Sequence, residues 1–161
     1  MAHELVDTMQ ANELNAQKLK EQEQKSAHRW LSFNLSNKRF ALPVDDVIEV
    51  VRQTDIASIP GSNEHVLGVA NIRGQIVIVL DIRKRLNLTV ELYSDTNRIL
   101  VVEIDDMLYG LLVDKVLDVL ELDESAVAWE NQHANDVSAT AQWADETVQL
   151  VDLQHVLNNE E

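Results

Sequence analysis

Residues 29–51 match residues 98–120 without a gap when each position is set against the one 69 places further along. Seven of the 23 pairs are identical: Arg29/Arg98, Leu31/Leu100, Leu42/Leu111, Val44/Val113, Asp45/Asp114, Val47/Val116 and Val50/Val119. Chance would supply roughly one or two. After a shift of two, residues 66–86 lie over residues 137–157, with Val66/Val137, Ala70/Ala141, Val77/Val148, Asp81/Asp152 and Leu86/Leu157 matched. A chain that writes one programme twice must fold as two like units or as one pseudo-symmetric body, which removes most other architectures.

Each copy reads as strand, turn, strand, short helix, strand, tight turn, strand, short helix. From Arg29 the pattern has period two: Trp30, Ser32 and Asn34 share one face and Leu31, Phe33 and Leu35 the other, before the turn at Ser36-Asn37 and the return strand Phe40-Ala41-Leu42. Asp45 and Asp46 follow Pro43 and precede Val47, Ile48, Val50 and Val51, which suits a helix start with acids at its positive end. Pro60-Gly61 marks a turn, VLGVANIRGQIVIVLDI reads as two apolar strands about a bend at Arg73-Gly74, and Ile82 to Leu88 is a short helix or loop. Apolar residues make up 45% of the chain but aromatic ones only 4%, so the core is built from Val, Ile and Leu, which favour strands.

A unit of roughly 60 residues with four or five short strands cannot bury both faces of a flat sheet, whereas closing it into a small barrel removes the exposed edges. The expected fold is therefore all-β with short helices: two pseudo-symmetric barrels sharing an apolar seam. The first unit spans about residues 29–88 and the second about 97–158, with exchange of strands between them left open. Residues 1–27 form a polar tail with a thin stripe of Leu5, Met9, Leu14 and Leu19, expected to be helical or disordered.

The search for chemistry returns nothing. Absence of cysteine excludes disulfides, thiolate metal sites and cysteine nucleophiles, and agrees with a reducing compartment. His3, His28, His65, His133 and His155 are scattered, no two within five residues of each other, so no metal-ligand spacing arises. Four glycines, Gly61, Gly68, Gly74 and Gly110, compose neither a phosphate loop nor a dinucleotide turn. The stretch ILVVEIDD at 99–106 imitates the opening of a receiver domain, but only 55 residues follow Asp106, and the duplicated strand ends in Ser36-Asn37 instead of acids. Asp105-Asp106 is better read as a solvated hairpin turn. No enzyme, cofactor or metal is expected.

Charge narrows the partners. Residues 1–98 carry 12 Lys/Arg against 13 Asp/Glu, whereas residues 99–161 carry Lys115 alone against 15 acids, a net of −14. Such a surface repels a phosphate backbone and disfavours nucleic acid. It invites a basic counterpart instead. No run approaches the ~20 apolar residues of a membrane span, and the acidic N-terminus lacks a signal-peptide core, so a cytoplasmic chain without membrane insertion is expected.

The segment from Val66 to Leu86, VLGVANIRGQIVIVLDIRKRL, closely resembles the signature of the CheW family, the coupling proteins of bacterial chemosensory arrays. That signature runs Gly-Val-x-Asn-x-Arg-Gly, an apolar strand, then Asp-(Leu/Ile)-Arg, and is filled here by Gly68, Asn71, Arg73, Gly74, Asp81 and Arg83. The likeness extends over about residues 28–158, through Val44, Val47, Glu49, Val50 and Arg52 and through YGLLVDKVLDV at 109–119. It departs in the last third, where Ala139 and Asp145 stand in place of usual glycines.

The resemblance implies two five-stranded SH3-like barrels and an adaptor that bridges the regulatory domain of the histidine kinase CheA and the cytoplasmic tip of methyl-accepting chemoreceptors. Other CheW-like domains are further partners it implies, and its location is the cytoplasm at receptor arrays. By the same resemblance the receptor lies in an apolar groove edged by the Asn-x-Arg-Gly turn. Arg73 is the carried-over partner-reading residue, Glu49 its ion-pair partner, Asn71 and Gly74 the shapers of the turn, and Val47 a groove residue. From pattern alone Val47, Ile48, Val50 and Val51 read as core rather than groove. A paralogue serving a pilus or polar-assembly array, or an acidic mimic that titrates a basic partner, are the alternatives.

Overall fold

The computed structural model describes residues 27–90, 94–129 and 136–158, with the single positions 13 and 15. The tail expected over residues 1–27 lies almost wholly outside them. In order come β1 (Ala27–Leu35), β2 (Lys38–Pro43), a 3₁₀ turn (Val44–Asp46), β3 (Val47–Arg52), β4 (Val66–Ile72), β5 (Gln75–Leu80) and α1 (Ile82–Arg85). The second half gives β6 (Arg98–Ile104), β7 (Met107–Val113), β8 (Lys115–Asp123), a 3₁₀ turn (Glu124–Ala126), β9 (Val127–Trp129), β10 (Val137–Trp143), β11 (Glu146–Val151) and α2 (Leu153–Asn158). The body is mainly β, as expected. Among the described residues no helix is long and apolar enough to cross a membrane.

One expectation fails locally. The helix read from Asp45-Asp46 is a single 3₁₀ turn, and the apolar run after it is strand β3. A four-residue apolar cluster satisfies both periods, and pairing with β6, in which Val50 opposes Leu100, decides for the strand.

Two sheets form, one ordered β8-β1-β2-β11-β10-β9 and the other β3-β6-β7-β5-β4. Exchanging each strand for its repeat partner converts one order into the other, and an isolated bridge between Ala57 and Val69 stands where β9 stands in the larger sheet. Each sheet takes one hairpin from one half of the chain and its remaining strands from the other. The joints are the parallel pairs β2–β11, with Phe40 opposite Gln149, and β5–β7, with Val79 opposite Gly110. Parallel neighbours cannot be linked by a tight turn, so the two halves are intertwined. In the larger sheet β10 also approaches β8, curling the sheet towards closure.

The exchange explains the near-continuous apolar runs in β2, β6 and β7. These strands are buried on both faces, which abolishes polar alternation. On one face Phe33, Phe40, Leu100, Val102, Leu111 and Val113 meet in a central core shared by the two sheets. Phe33 and Phe40 stack there, their ring centroids 6.3 Å apart. On the opposite face Ala41 joins Trp30, Leu120 and Leu150 inside the larger sheet, while Ile99, Val101 and Leu112 join Val77 and Val79 inside the smaller one. Hairpin tips follow the same duplication. Ser36 and Asn37 have φ of 51° and 66°, and Asp105 and Asp106 have 51° and 64°, the paired left-handed conformations of a two-residue hairpin turn.

Candidate functional site

The β4–β5 hairpin carries Arg73 and Gly74 at its tip, with Asn71 opposite Ile76 and Ile72 opposite Gln75. Both tip residues are left-handed, Arg73 at φ 53° and Gly74 at 81°. A Cβ added at Gly74 would meet nothing within 4 Å, so the glycine serves the backbone conformation and not a close approach. The Gly74 amide donates to Asn71 Oδ1 at 2.9 Å, so Asn71 holds the turn from within. Gly74→Ala is accordingly expected to cost about 1 kcal/mol, read as a Tm lowered by a few degrees. An unchanged Tm would show that the turn tolerates a side chain there.

Arg73 Nε lies 3.1 Å from Glu49 Oε2 on β3, which brings the two residues together across the smaller sheet. Arg73 is nonetheless 79% exposed, against 24% for Glu49. A pair this exposed stabilises by only about 0–1 kcal/mol. Its consequence is orientation: one nitrogen is anchored while the rest of a five-donor fork faces solvent.

Val47 is half-buried, opposite Val102, and packs on the central core, so it supports the region from beneath. Val51 likewise packs inward, onto the core of the smaller sheet. Ile48 and Val50 do not share that placement, contrary to the core reading: they are 53% and 41% exposed. The cause is the pleat of an edge strand. β3 pairs only with β6, and its residues alternate half-buried and exposed along its length. Ile76 on β5 is 64% exposed as well. The elements joined by the Arg73–Glu49 pair thus also carry three exposed apolar side chains.

The Asp-Ile-Arg part of the signature does something different. Arg83 and Asp81 are each 1% exposed. Arg83 Nε and Nη2 reach Asp81 Oδ1 and Oδ2 at 2.9 and 3.0 Å, and Nη1 reaches Asp114 Oδ1 at 2.7 Å. Asp81 also caps α1 by accepting from the Arg83 amide, and Asp114 Oδ2 accepts from the Ser36 amide at 2.7 Å. Hydrogen bonding to Asp81, helped by both carboxylates and opposed by burial, raises the already high Arg83 pKa, so the residue is a permanent cation. This buried pin ties α1 to the β7–β8 corner and the β1–β2 turn. Gln154 stands at the repeat position of Arg83, so the duplication does not reproduce the pin. Sequence reasoning placed Arg83 in a motif without seeing its role; its repeat partner being uncharged was the available signal. A second link joins α1 to α2, with Arg85 Nε and His155 Nδ1 at 3.1 and 2.6 Å from the two oxygens of Asp136.

Among the described residues no three His, Asp or Glu side chains converge as metal ligands. Residues 29–161 match the family model described as the CheW-like domain. The chain is 31% identical over 103 residues to the chemotaxis protein CheW of Bacillus subtilis, covering 64% of this chain and 66% of that one. It is 32% identical over 96 residues to Protein PilI of Pseudomonas aeruginosa, covering 58% and 54%. The crystal structure of the scaffolding protein TtCheW from Thermoanaerobacter tengcongensis superposes with a TM-score of 0.76 at 28% identity, over 84% of this chain and 96% of the other.

Proposed function

The chain belongs to the CheW family, and on that premise we propose that it is a non-catalytic adaptor coupling methyl-accepting chemoreceptors to the histidine kinase CheA. The observation that carries this reading is the family match over residues 29–161 on a body whose two sheets superpose on a CheW scaffold of two SH3-like barrels. In it, residues 28–158 act as one unit, the duplicated segments contributing jointly to both sheets. The adaptor works in the cytoplasm, held at receptor arrays by its partners and needing no cofactor. Barrel faces meet the CheA regulatory domain and other CheW-like domains. The receptor tip lies along β3 and the β4–β5 turn, read by Arg73 with Glu49 holding the guanidinium, Asn71 and Gly74 fixing the turn and Val47 backing the strand. An exposed arginine anchored at a turn by a less exposed carboxylate is a residue type enriched in binding hot spots.

Binding of the full chain to a CheA regulatory domain and, separately, to a receptor cytoplasmic hairpin tests this. Arg73→Glu is expected to weaken receptor binding by about tenfold or more, the scale of a hot-spot loss, and to leave kinase binding and Tm nearly unchanged. Equal loss on both partners, or none on either, removes Arg73 from the receptor face; a wild-type chain that binds neither partner sinks the adaptor reading. The likeness to Protein PilI supports a second reading, in which the same coupling serves a pilus-associated array. Binding to receptors of one array and not the other separates them.

A further inference from the structure

The chain passes from one sheet to the other at two corners that the repeat makes equivalent. β2 leads into β3 through Val44–Asp46, and β7 into β8 through Asp114 alone. Asp45 is the repeat partner of Asp114, yet the two corners are held very differently. The Asp114 carboxylate accepts from Arg83 Nη1 and from the Ser36 amide, both at 2.7 Å. Its amide donates to the Asn34 carbonyl at 3.1 Å, and its carbonyl accepts from Thr96 Oγ1 at 2.9 Å. Val44–Asp46, by contrast, is a single 3₁₀ turn with no side-chain cap and no buried residue. Among the described residues neither Asp45 nor Asp46 makes a side-chain hydrogen bond or ion pair. One difference within the repeat accounts for this: Gln154, which lines a hollow with Pro43 and Asp46, stands where its counterpart Arg83 pins Asp114. Burial, and secondarily Asp45, pushes the Asp46 pKa up, so the closed turn holds its charge at a cost.

The β1–β2 hairpin hangs on this loose corner. It fills the middle of the larger sheet between β8 and β11, strands of the second half to which no short loop ties it. Its Phe33, Leu35, Phe40 and Leu42 are buried in the central core. A hairpin supplied by a second copy would restore the same contacts, so the balance between closed monomer and exchanged dimer is set by the hinge and by concentration. We propose that the Val44–Asp46 turn is such a hinge, and that two copies of this chain exchange their β1–β2 hairpins to form an intertwined dimer. Exchange proceeds through opened chains, because the hairpin cannot leave without uncovering the core. β3, β4 and β5 stay with their own chain, so each body of the dimer keeps its own Arg73–Glu49 turn. The inference does not depend on coupling to receptor or kinase.

The chain contains no cysteine, so a designed disulfide reports the exchange directly. Asn34 on β1 opposes Lys115 on β8, a cross-strand spacing that a disulfide spans. The full chain, as wild type and as N34C/K115C, is refolded from denaturant under reducing conditions at rising concentration and separated by size exclusion with light scattering. Each N34C/K115C fraction is then oxidised and run on a denaturing gel without reductant. A dimer fraction that grows with concentration is expected, its chains joined covalently in pairs, while disulfides in the monomer fraction close within one chain. Deleting Asp45 and Asp46 shortens the hinge and should drive the chain towards dimer. Gln154→Arg restores a pin to the loose corner and should lower the dimer association constant at least about threefold, which keeps the test intact if the deletion fails to fold. A wild type monomeric at every concentration, a dimer whose disulfides close within single chains, or a dimer fraction that Gln154→Arg leaves unchanged overturns the proposal.

Discussion

Arg83→Met lowers the unfolding free energy by about 3–5 kcal/mol, because it leaves Asp81 charged and buried with its guanidinium gone. For a domain of this size that corresponds to a fall in Tm of roughly 10–20 °C. The loss comes mainly from the stranded carboxylate and only in part from the ion pair itself, so removing the second charge restores stability. D81N/R83M is therefore expected to be more stable than R83M alone, since the amide can still cap α1 without a buried charge. Arg83→Lys recovers little. One ammonium cannot reproduce the fork that meets both Asp81 oxygens and Asp114 together. Thermal unfolding of the three variants checks the account. A double variant weaker than the single would mean that Arg83 acts by packing and not by charge.

Gly68→Ala carries the second large cost, about 2–4 kcal/mol, from strain and overpacking acting together. Gly68 sits at φ 148°, and a Cβ there would stand 2.0 Å from the Ala57 carbonyl oxygen and 2.6 Å from its carbon. The obstacle is backbone, so no rotamer change relieves it. The loop through Ala57 must move instead, breaking the paired bonds between Ala57 and Val69, whose N···O distances are 2.8 and 2.9 Å. Gly110→Ala is costly too, for a different reason: its added methyl meets Ile99 Cγ2 at 2.6 Å and Val77 Cγ1 at 3.2 Å, both on buried, branched side chains, so the core and not the backbone must give. A Gly68→Ala chain with unaltered Tm would show that the 57–69 bridge is dispensable.

The duplication made the strand order of each half legible, because a repeated hydrophobic programme fixes which segments are equivalent. It could not fix which half lends a hairpin to which sheet, since Phe33, Phe40 and their repeat partners are equally apolar in a swapped or an unswapped body. Ile48 and Val50 were misplaced for a related reason. Apolar type argues for burial only when the strand has a neighbour on each side, and β3 is an edge. The Arg73–Glu49 pair was within reach of sequence only through family resemblance, as the two positions lie 24 apart in the chain. Ala139 at the repeat position of Gly68 has its own account. It opposes Trp129 in regular β9–β10 pairing, so no backbone crowds its Cβ and glycine is not required there.

Coupling is tested most directly by co-sedimentation. Membranes bearing a chemoreceptor are mixed with full-length CheA, with and without the full chain, and the kinase in the pellet is measured. Adaptor action predicts kinase in the pellet that rises to saturation as the chain is added, and that falls back when Arg73→Glu replaces the wild type. Kinase sedimentation indifferent to the chain would contradict it.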